Sequence, residues 1–272
     1  MPDPRPIGMF DSGVGGLTVA RAVLDLLPDE DLVYLGDTGR YPYGPRPLDE
    51  VRDFAHQVAG HLVERFDVKL LVVACNTAAA AALEELAEDL PVPVVGVIEP
   101  GVRSLVQATR TGHVGVIGTV GTVGSGAYQR AVAATGAPVQ LTCAACPGFV
   151  EFVERGELRS EQVHVLAERL LAPVRAARVD ALLLGCTHYP FLARTITDVV
   201  GREVVLVSSA DETAFEVRAL LAGSDRARDP ASGPASARFL SSGDPCWFAT
   251  LGRRLLGMEL GEVVPVRWPA PA

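Results

Sequence analysis

Two cysteines stand where a parallel α/β chain places reactive side chains. Cys75 lies in Leu-Leu-Val-Val-Ala-Cys-Asn-Thr and Cys186 in Ala-Leu-Leu-Leu-Gly-Cys-Thr-His. Each ends a short apolar run and is followed by side chains, Asn76-Thr77 or Thr187-His188, able to cap a helix or bond a carboxylate. Ligands of such sheets bind beyond the carboxyl ends of the strands, where helix N-termini offer free N–H groups and favour a thiolate. Two thiols opposed across a ligand suit the inversion of a carbon stereocentre. One sulfur removes a proton from one face, the other returns a proton to the opposite face, and the two exchange roles at each turnover without a cofactor. Either cysteine alone is as well explained by packing, since free cysteine is among the most buried residue types. The pairing is what points to chemistry.

The other reactive residues offer less. Cys143-Ala-Ala-Cys146 has redox or half-zinc spacing, but no second such pair and no histidine pair accompanies it. Cys246, beside Trp247 and Phe248, reads as core packing. The five cysteines are odd in number, and a disulfide framework is not expected. The single lysine, Lys69, adjoins an apolar run, a poor setting for a Schiff base, so pyridoxal chemistry is excluded. His56 and His61 read as helix-surface residues, and no metal site is expected. The turn Phe10-Asp11-Ser12-Gly13-Val14-Gly15-Gly16 can bring backbone donors to an anion, with Asp11 free to meet an ammonium or orient Cys75. Its glycine spacing departs from the dinucleotide fingerprint, although Asp37 mimics the ribose-binding acid. Gly36-Asp37-Thr38 followed by Tyr41-Pro42-Tyr43-Gly44 suits the wall of a small pocket. Glu154 by itself reads as a solvated helix-end charge.

The elements that must position these residues follow from the apolar pattern. Short runs at 7–10, 32–35, 70–74, 94–97, 114–117, 139–141, 181–184, 204–207 and 238–240 alternate with helical patterns at 16–27, 48–65, 78–89, 125–135, 160–175, 212–221 and 245–256. This is the rhythm of parallel sheets covered by helices. It also repeats: 67 residues separate Gly8 in the first glycine-rich turn from Cys75, and 71 separate Gly115 in the second from Cys186. The expected architecture is therefore α/β, with two similar pseudo-symmetric domains, each a mostly parallel sheet flanked by helices, and an active site between them. The expected domains are residues 1–97 plus 210–272, and residues 98–209. Residues 223–237 read as an exposed loop.

Composition removes whole classes of function. The chain of 272 residues is 49% hydrophobic and 21% charged, which excludes global disorder. A net charge of −9 leaves no basic footprint for nucleic acid. The apolar runs are far shorter than the roughly 20 residues of a membrane span. The N-terminal Met-Pro-Asp-Pro-Arg-Pro lacks a cationic segment followed by an apolar one, and the expected location is the cytoplasm.

Phe-Asp-Ser-Gly-Val-Gly-Gly-Leu-Thr at 10–18, Gly-Asp-Thr at 36–38, Tyr-Pro-Tyr-Gly at 41–44, Ala-Cys-Asn-Thr at 74–77 and Gly-Cys-Thr-His-Tyr-Pro at 185–190 together resemble bacterial glutamate racemases across nearly the whole chain. Aspartate racemases share the two-cysteine plan but typically continue the second cysteine with Thr-Glu, where this chain has Thr187-His188. The resemblance implies a cofactor-independent enzyme that interconverts L- and D-glutamate for peptidoglycan. Cys75, with Asp11, would act on the D-enantiomer and Cys186, with His188, on the L-enantiomer. Asp11, Ser12, Tyr43, Gly44, Asn76, Thr77, Thr187 and His188 would hold the substrate, and Thr119 and Thr122 would add donors. Glu154 matches the family's Val-Glu before a glycine and becomes an assistant to His188. The resemblance further implies a homodimer. It leaves open another amino-acid substrate, such as aspartate, and an added protein-binding role, since some glutamate racemases are reported to restrain a DNA topoisomerase.

Overall fold

The computed structural model describes residues 2–224, 226–257 and 259–268. Strands β1 (Ile7–Asp11), β2 (Leu32–Gly36), β3 (Leu70–Val73) and β4 (Val94–Gly96) come first in the chain. They are followed by β5 (His113–Gly118), β6 (Gln140–Ala145), β7 (Ala181–Gly185) and β8 (Val205–Val207). The chain returns with β9 (Ala237–Ser241) and β10 (Val263–Pro265). One sheet has the order β10-β9-β2-β1-β3-β4 and the other β6-β5-β7-β8, with every pairing parallel.

The repeat seen in the residue spacing is thus a repeat of topology. The order β2-β1-β3-β4 recurs as β6-β5-β7-β8, with Cys75 beyond β3 and Cys186 beyond its counterpart β7. The central strands β1, β3 and β7 are buried along their length because helices cover both faces, which is why they read as unbroken apolar runs. Alternation along the second sheet divides its contacts. Val114, Val116, Ala181 and Leu183 join the large core that includes the first sheet, while Ile117, Leu182 and Leu184 face a separate core with Phe149, Val163 and Ile196.

Helix Ile98–Ala108 packs on β7 and β8, and helix Ala210–Gly223 packs back onto helix Leu17–Leu26. We accordingly propose residues 1–97 plus 210–272 and residues 98–209 as the two domains. The helical pattern at 125–135 is one helix, Ala127–Ala134, preceded across Gly126 at φ 72° by a further short one, Val120–Gly124, whereas the pattern at 160–175 resolves into two, Glu161–Leu170 and Ala172–Ala176, divided ahead of Pro173. Strand β10 is an addition to the expected elements; it is three residues long, lies at the sheet edge and ends in proline. Residues 226–236 run along the surface, pinned by the buried Arg228, whose guanidinium donates to the carbonyls of Asp29, Ser232 and Gly233. Among the described residues no helix is long and apolar enough to cross a membrane.

Candidate active site

The carboxyl ends of the two sheets enclose a small cavity of about 20 Å³, little more than room for a water molecule. Ser12, Tyr41–Gly44 and Cys75–Thr77 wall it from the first half, and Thr119, Val150 and Cys186–His188 wall it from the second. Both predicted cysteines therefore meet one space, each buried, and each on the equivalent strand end of the repeated topology.

Cys75 immediately precedes helix Asn76–Asp89. Its sulfur lies 3.8 Å from the Ser12 hydroxyl and receives the backbone N–H groups of Ala78 and Ser12. Burial nevertheless pushes the Cys75 thiol up to about 12, and the nearby charge of Asp11 works in the same direction. In the closed site Cys75 holds its proton.

Cys186 has a different setting. The element after it is a 3₁₀ turn, Tyr189–Leu192, and the α-helix begins only at Ala193. Of the two roles open to Thr187 and His188, capping a helix is not seen, and both side chains instead meet carboxylates, those of Asp11 and Glu154. His188 Nδ1 lies 4.0 Å from Cys186 Sγ and Nε2 lies 3.1 Å from Glu154 Oε1. Burial disfavours the imidazolium, but the hydrogen bonds to Cys186 and Glu154 and the charges of Cys186 and Asp11 outweigh it and raise His188 to about 10. A buried cation thus sits beside one sulfur. Glu154, whose side chain is only 10% exposed, is a partner of that cation rather than a solvated charge.

Asp11 is fully buried behind the cavity wall. Gly13 N–H donates to its Oδ1 at 2.8 Å, and Thr187 Oγ1 donates to its Oδ2 at 3.2 Å. Burial raises the Asp11 carboxyl, while His188 and these donors oppose the rise. Glycines here admit neighbouring side chains, while the N–H groups of Gly13 and Gly16 serve the carboxyl of Asp11 within the same turn. A Cβ on Gly15 would stand 2.3 Å from Thr187 Oγ1 and 2.4 Å from His188 Nδ1, and one on Gly16 would stand 2.5 Å from Asp11 Cβ. Without a side chain at Gly15 the second half can close onto the first.

Hydroxyls join the halves as well. Thr77, Thr119 and Thr122 form a triangle of contacts of 3.0–3.1 Å. Thr119 and Thr77 border the cavity, whereas Thr122 is fully buried and supports the other two. Asn76 Nδ2 donates to Tyr128 at 2.8 Å, and its Oδ1 is buried without a partner.

Tyr43 and Gly44 border the cavity, but the Tyr43 hydroxyl is committed to Asp37. That carboxylate also accepts from Arg40 Nε, Ser242 and Trp268 Nε1. Asp37 therefore braces the Tyr41–Gly44 wall, a role that accounts for its place after β2. Tyr41 borders the cavity as part of the wall expected from Tyr41–Gly44, and Val150 joins it without having been expected. Tyr41 presents a buried hydroxyl with no partner, and its ring tilts against His188 at 6.4 Å between centroids. Its signal was its place in Tyr-Pro-Tyr-Gly, while Val150, one apolar residue in a helix, gave none. Cys143 and Cys146 are free thiols outside the cavity wall, raised by burial to about 11 and about 12. Cys246 corrects the packing expectation: it is exposed, because Asp244 caps helix Pro245–Leu256 and turns its first residues to solvent while Phe248 enters the core.

A family model described as Asp/Glu/Hydantoin racemase matches residues 17–216. A glutamate racemase of Parafrankia sp. (strain EAN1pec) is 54% identical over 258 residues, covering 95% of this chain and 93% of that protein. Among solved structures, glutamate racemase isoform RacE1 from Bacillus anthracis is similar with a TM-score of 0.92 and 40% identity, over 98% of this chain and 99% of that one. The glutamate racemase of Francisella tularensis, solved in complex with D-glutamate, has a TM-score of 0.90 and 31% identity, over 97% and 98% of the two chains.

Proposed function

The chain belongs to the Asp/Glu/hydantoin racemase family, and we propose that it interconverts L- and D-glutamate by passing the α-proton through Cys75 and Cys186. What carries the reading is that two buried cysteines, from equivalent strands of a repeated sheet, border one small cavity. In the D-to-L direction Cys75, having released its own proton to solvent before the site closes on the substrate, takes the α-proton as thiolate and becomes a thiol. The carbanion then accepts the proton of the Cys186 thiol on its other face, leaving Cys186 as thiolate. The reverse reaction runs through the same groups.

An α-proton beside a carboxylate is far less acidic than a thiol, so charge developing on that carboxylate must be stabilised in a site with little water. The hydroxyls of Ser12, Thr77 and Thr119 and the N-terminus of helix Asn76–Asp89 are placed for this. Asp11, through Thr187, and Glu154, through His188, hold the two sides in register. The imidazolium 4.0 Å from Cys186 offsets negative charge there. We further propose, as the family resemblance implies, a cytoplasmic homodimer that supplies D-glutamate for peptidoglycan.

The test is proton NMR in D2O, adding L-glutamate and then L-aspartate without cofactor, and following the α-proton signal together with optical rotation. Exchange with racemisation of glutamate alone is the expected outcome. Cys75→Ala and Cys186→Ala should each lower racemisation at least about 100-fold. Full turnover by either variant refutes the two-cysteine step, and exchange of aspartate alone refutes the substrate.

A further inference from the structure

We infer that Tyr128 is a positioning residue for this racemisation, its hydroxyl fixing the Asn76 amide and gauging the separation of the two cysteine-bearing strand ends. The inference rests on the two-cysteine reading above. Tyr128 is fully buried on helix Ala127–Ala134 of the second half, and its ring is outside the cavity wall. The hydroxyl accepts from Asn76 Nδ2 at 2.8 Å, across the join between the halves. It also stands 2.9 Å from the point a Cβ on Gly185 would occupy. Asn76 directly follows Cys75 and Gly185 directly precedes Cys186, so one oxygen abuts both strand ends.

Asn76 borders the cavity, and its Oδ1 is buried without a partner. An amide held at one end and unsatisfied at the other is arranged for a ligand, because a buried polar group left unmet is costly. A tyrosine hydroxyl both donates and accepts, so this contact holds the amide with either its oxygen or its NH2 toward the cavity, to suit an ammonium or a carboxylate. Phenylalanine would fill the same volume. Among the described residues the one hydrogen bond of the Tyr128 hydroxyl is to Asn76, so any hydrogen-bonding function of the oxygen passes through that amide. Burial pushes the phenol up, and the hydroxyl stays protonated at the working pH.

The experiment is a double-mutant cycle of Tyr128→Phe and Asn76→Ala, read as kcat/KM for glutamate and, so that inactive variants still report, as the Kd of D-glutamate by calorimetry. Tyr128→Phe is expected to lower kcat/KM about 10-fold or more in the otherwise wild-type protein, and to change kcat/KM or Kd less than about twofold when Asn76 is already alanine. The same factor in both backgrounds refutes positioning through Asn76. So does a Tyr128→Phe variant that melts at a lower temperature but, assayed below that temperature, turns over as the wild type does. Failure of the wild type itself to racemise glutamate would fall on the proposed function, and this inference would fall with it.

Discussion

Replacing Glu154 by glutamine tests the electrostatic core of the site. His188 is raised from 6.5 to about 10 although burial acts against it, so its partners confer on the imidazolium about 5 kcal/mol net at ~1.4 kcal/mol per unit. Glu154 Oε1, 3.1 Å from Nε2, is one of two hydrogen-bonding partners. Unit charges at that separation attract by about 5 kcal/mol in an effective dielectric of ~20, before desolvation is deducted. Mutational experience with charged hydrogen bonds gives about 1.5 to 3 kcal/mol. Glutamine keeps the shape and an acceptor oxygen but removes the charge, so His188 should fall by about one to two units, to about 8 to 9.

The readout is the ratio of variant to wild-type kcat/KM between pH 7 and 10.5. The substrate's ammonium titrates in the same range and cancels in the ratio. Because enantiomers have equal free energies, kcat/KM is the same in both directions at every pH, and either enantiomer serves. The ratio should decline about 10- to 100-fold between pH 8 and 10 and then level off. Stability gives an independent measure. His188 has a raised folded-state value, so its contribution is complete below 6.5 and is lost as pH rises through about 10. The wild type should exceed Glu154→Gln by roughly 1.5 to 3 kcal/mol in urea denaturation at pH 7, with the gap closing by about pH 10. A flat activity ratio together with a constant stability gap refutes the idea that Glu154 sustains the imidazolium.

Three further outcomes are expected. Gly15→Ala should cost at least about 10-fold in kcat/KM, because its Cβ falls 2.3 Å from Thr187 Oγ1; Gly60→Ala, with nothing within 4 Å, should instead stabilise the protein by about 0.5 to 1 kcal/mol. Lys69→Met should destabilise by about 3 to 5 kcal/mol in urea titration with kcat/KM unchanged, since it leaves Glu30 buried and unpaired at the end of the sheet away from the site; a loss of activity without a loss of stability would contradict this. Trp268→Phe removes the 2.7 Å bond to Asp37 and should raise KM several-fold with kcat retained, because Asp37 also holds Tyr43 of the cavity wall, and should cost roughly 1 to 2 kcal/mol in stability; an unchanged KM would confine Trp268 to a structural role.

What could be read from the chain and what could not divide along physical lines. Buried parallel strands must be apolar on both faces, so β1, β3 and β7 announced themselves, and the cysteines after β3 and β7 came with them. Contacts between distant segments leave weaker marks. Nothing local says that Gly15 is small in order to admit His188, and its neighbourhood in a glycine-rich turn suggested an anion instead. Glu154 lies 34 residues from His188, and only the resemblance singled it out. Cys246 was misread because Trp247 and Phe248 beside it look like core, yet on a helix adjacent residues face different ways, and only Phe248 turns inward. The Thr187-His188 pair could cap a helix or bond a carboxylate, and because the 3₁₀ turn Tyr189–Leu192 takes up the chain first, both side chains are free to do the second.

The repeated topology and the different surroundings of its two cysteines bear on one requirement. A racemase must treat both faces of the α-carbon, and a repeated β-α unit closing on itself supplies two strand ends from opposite sides. Perfect symmetry would be useless, since the substrate is chiral and its substituents need distinct partners. The two sides differ accordingly: Cys75 lies at a helix N-terminus near Ser12 and Asp11, while Cys186 follows a strand directly and lies beside a buried imidazolium. Among the polar contacts between the halves, those of Thr187 to Asp11, Asn76 to Tyr128 and Thr77 to Thr119 lie at or just behind the cavity wall and are single neutral or singly charged hydrogen bonds. Each is worth roughly 0.5 to 3 kcal/mol net, and each can be exchanged for a bond to water or to a carboxylate. A cavity walled in this way opens to admit a small amino acid, closes around it at little cost and can reopen to release it. A site sealed by apolar packing of the same extent would exclude water equally well but would hold its product.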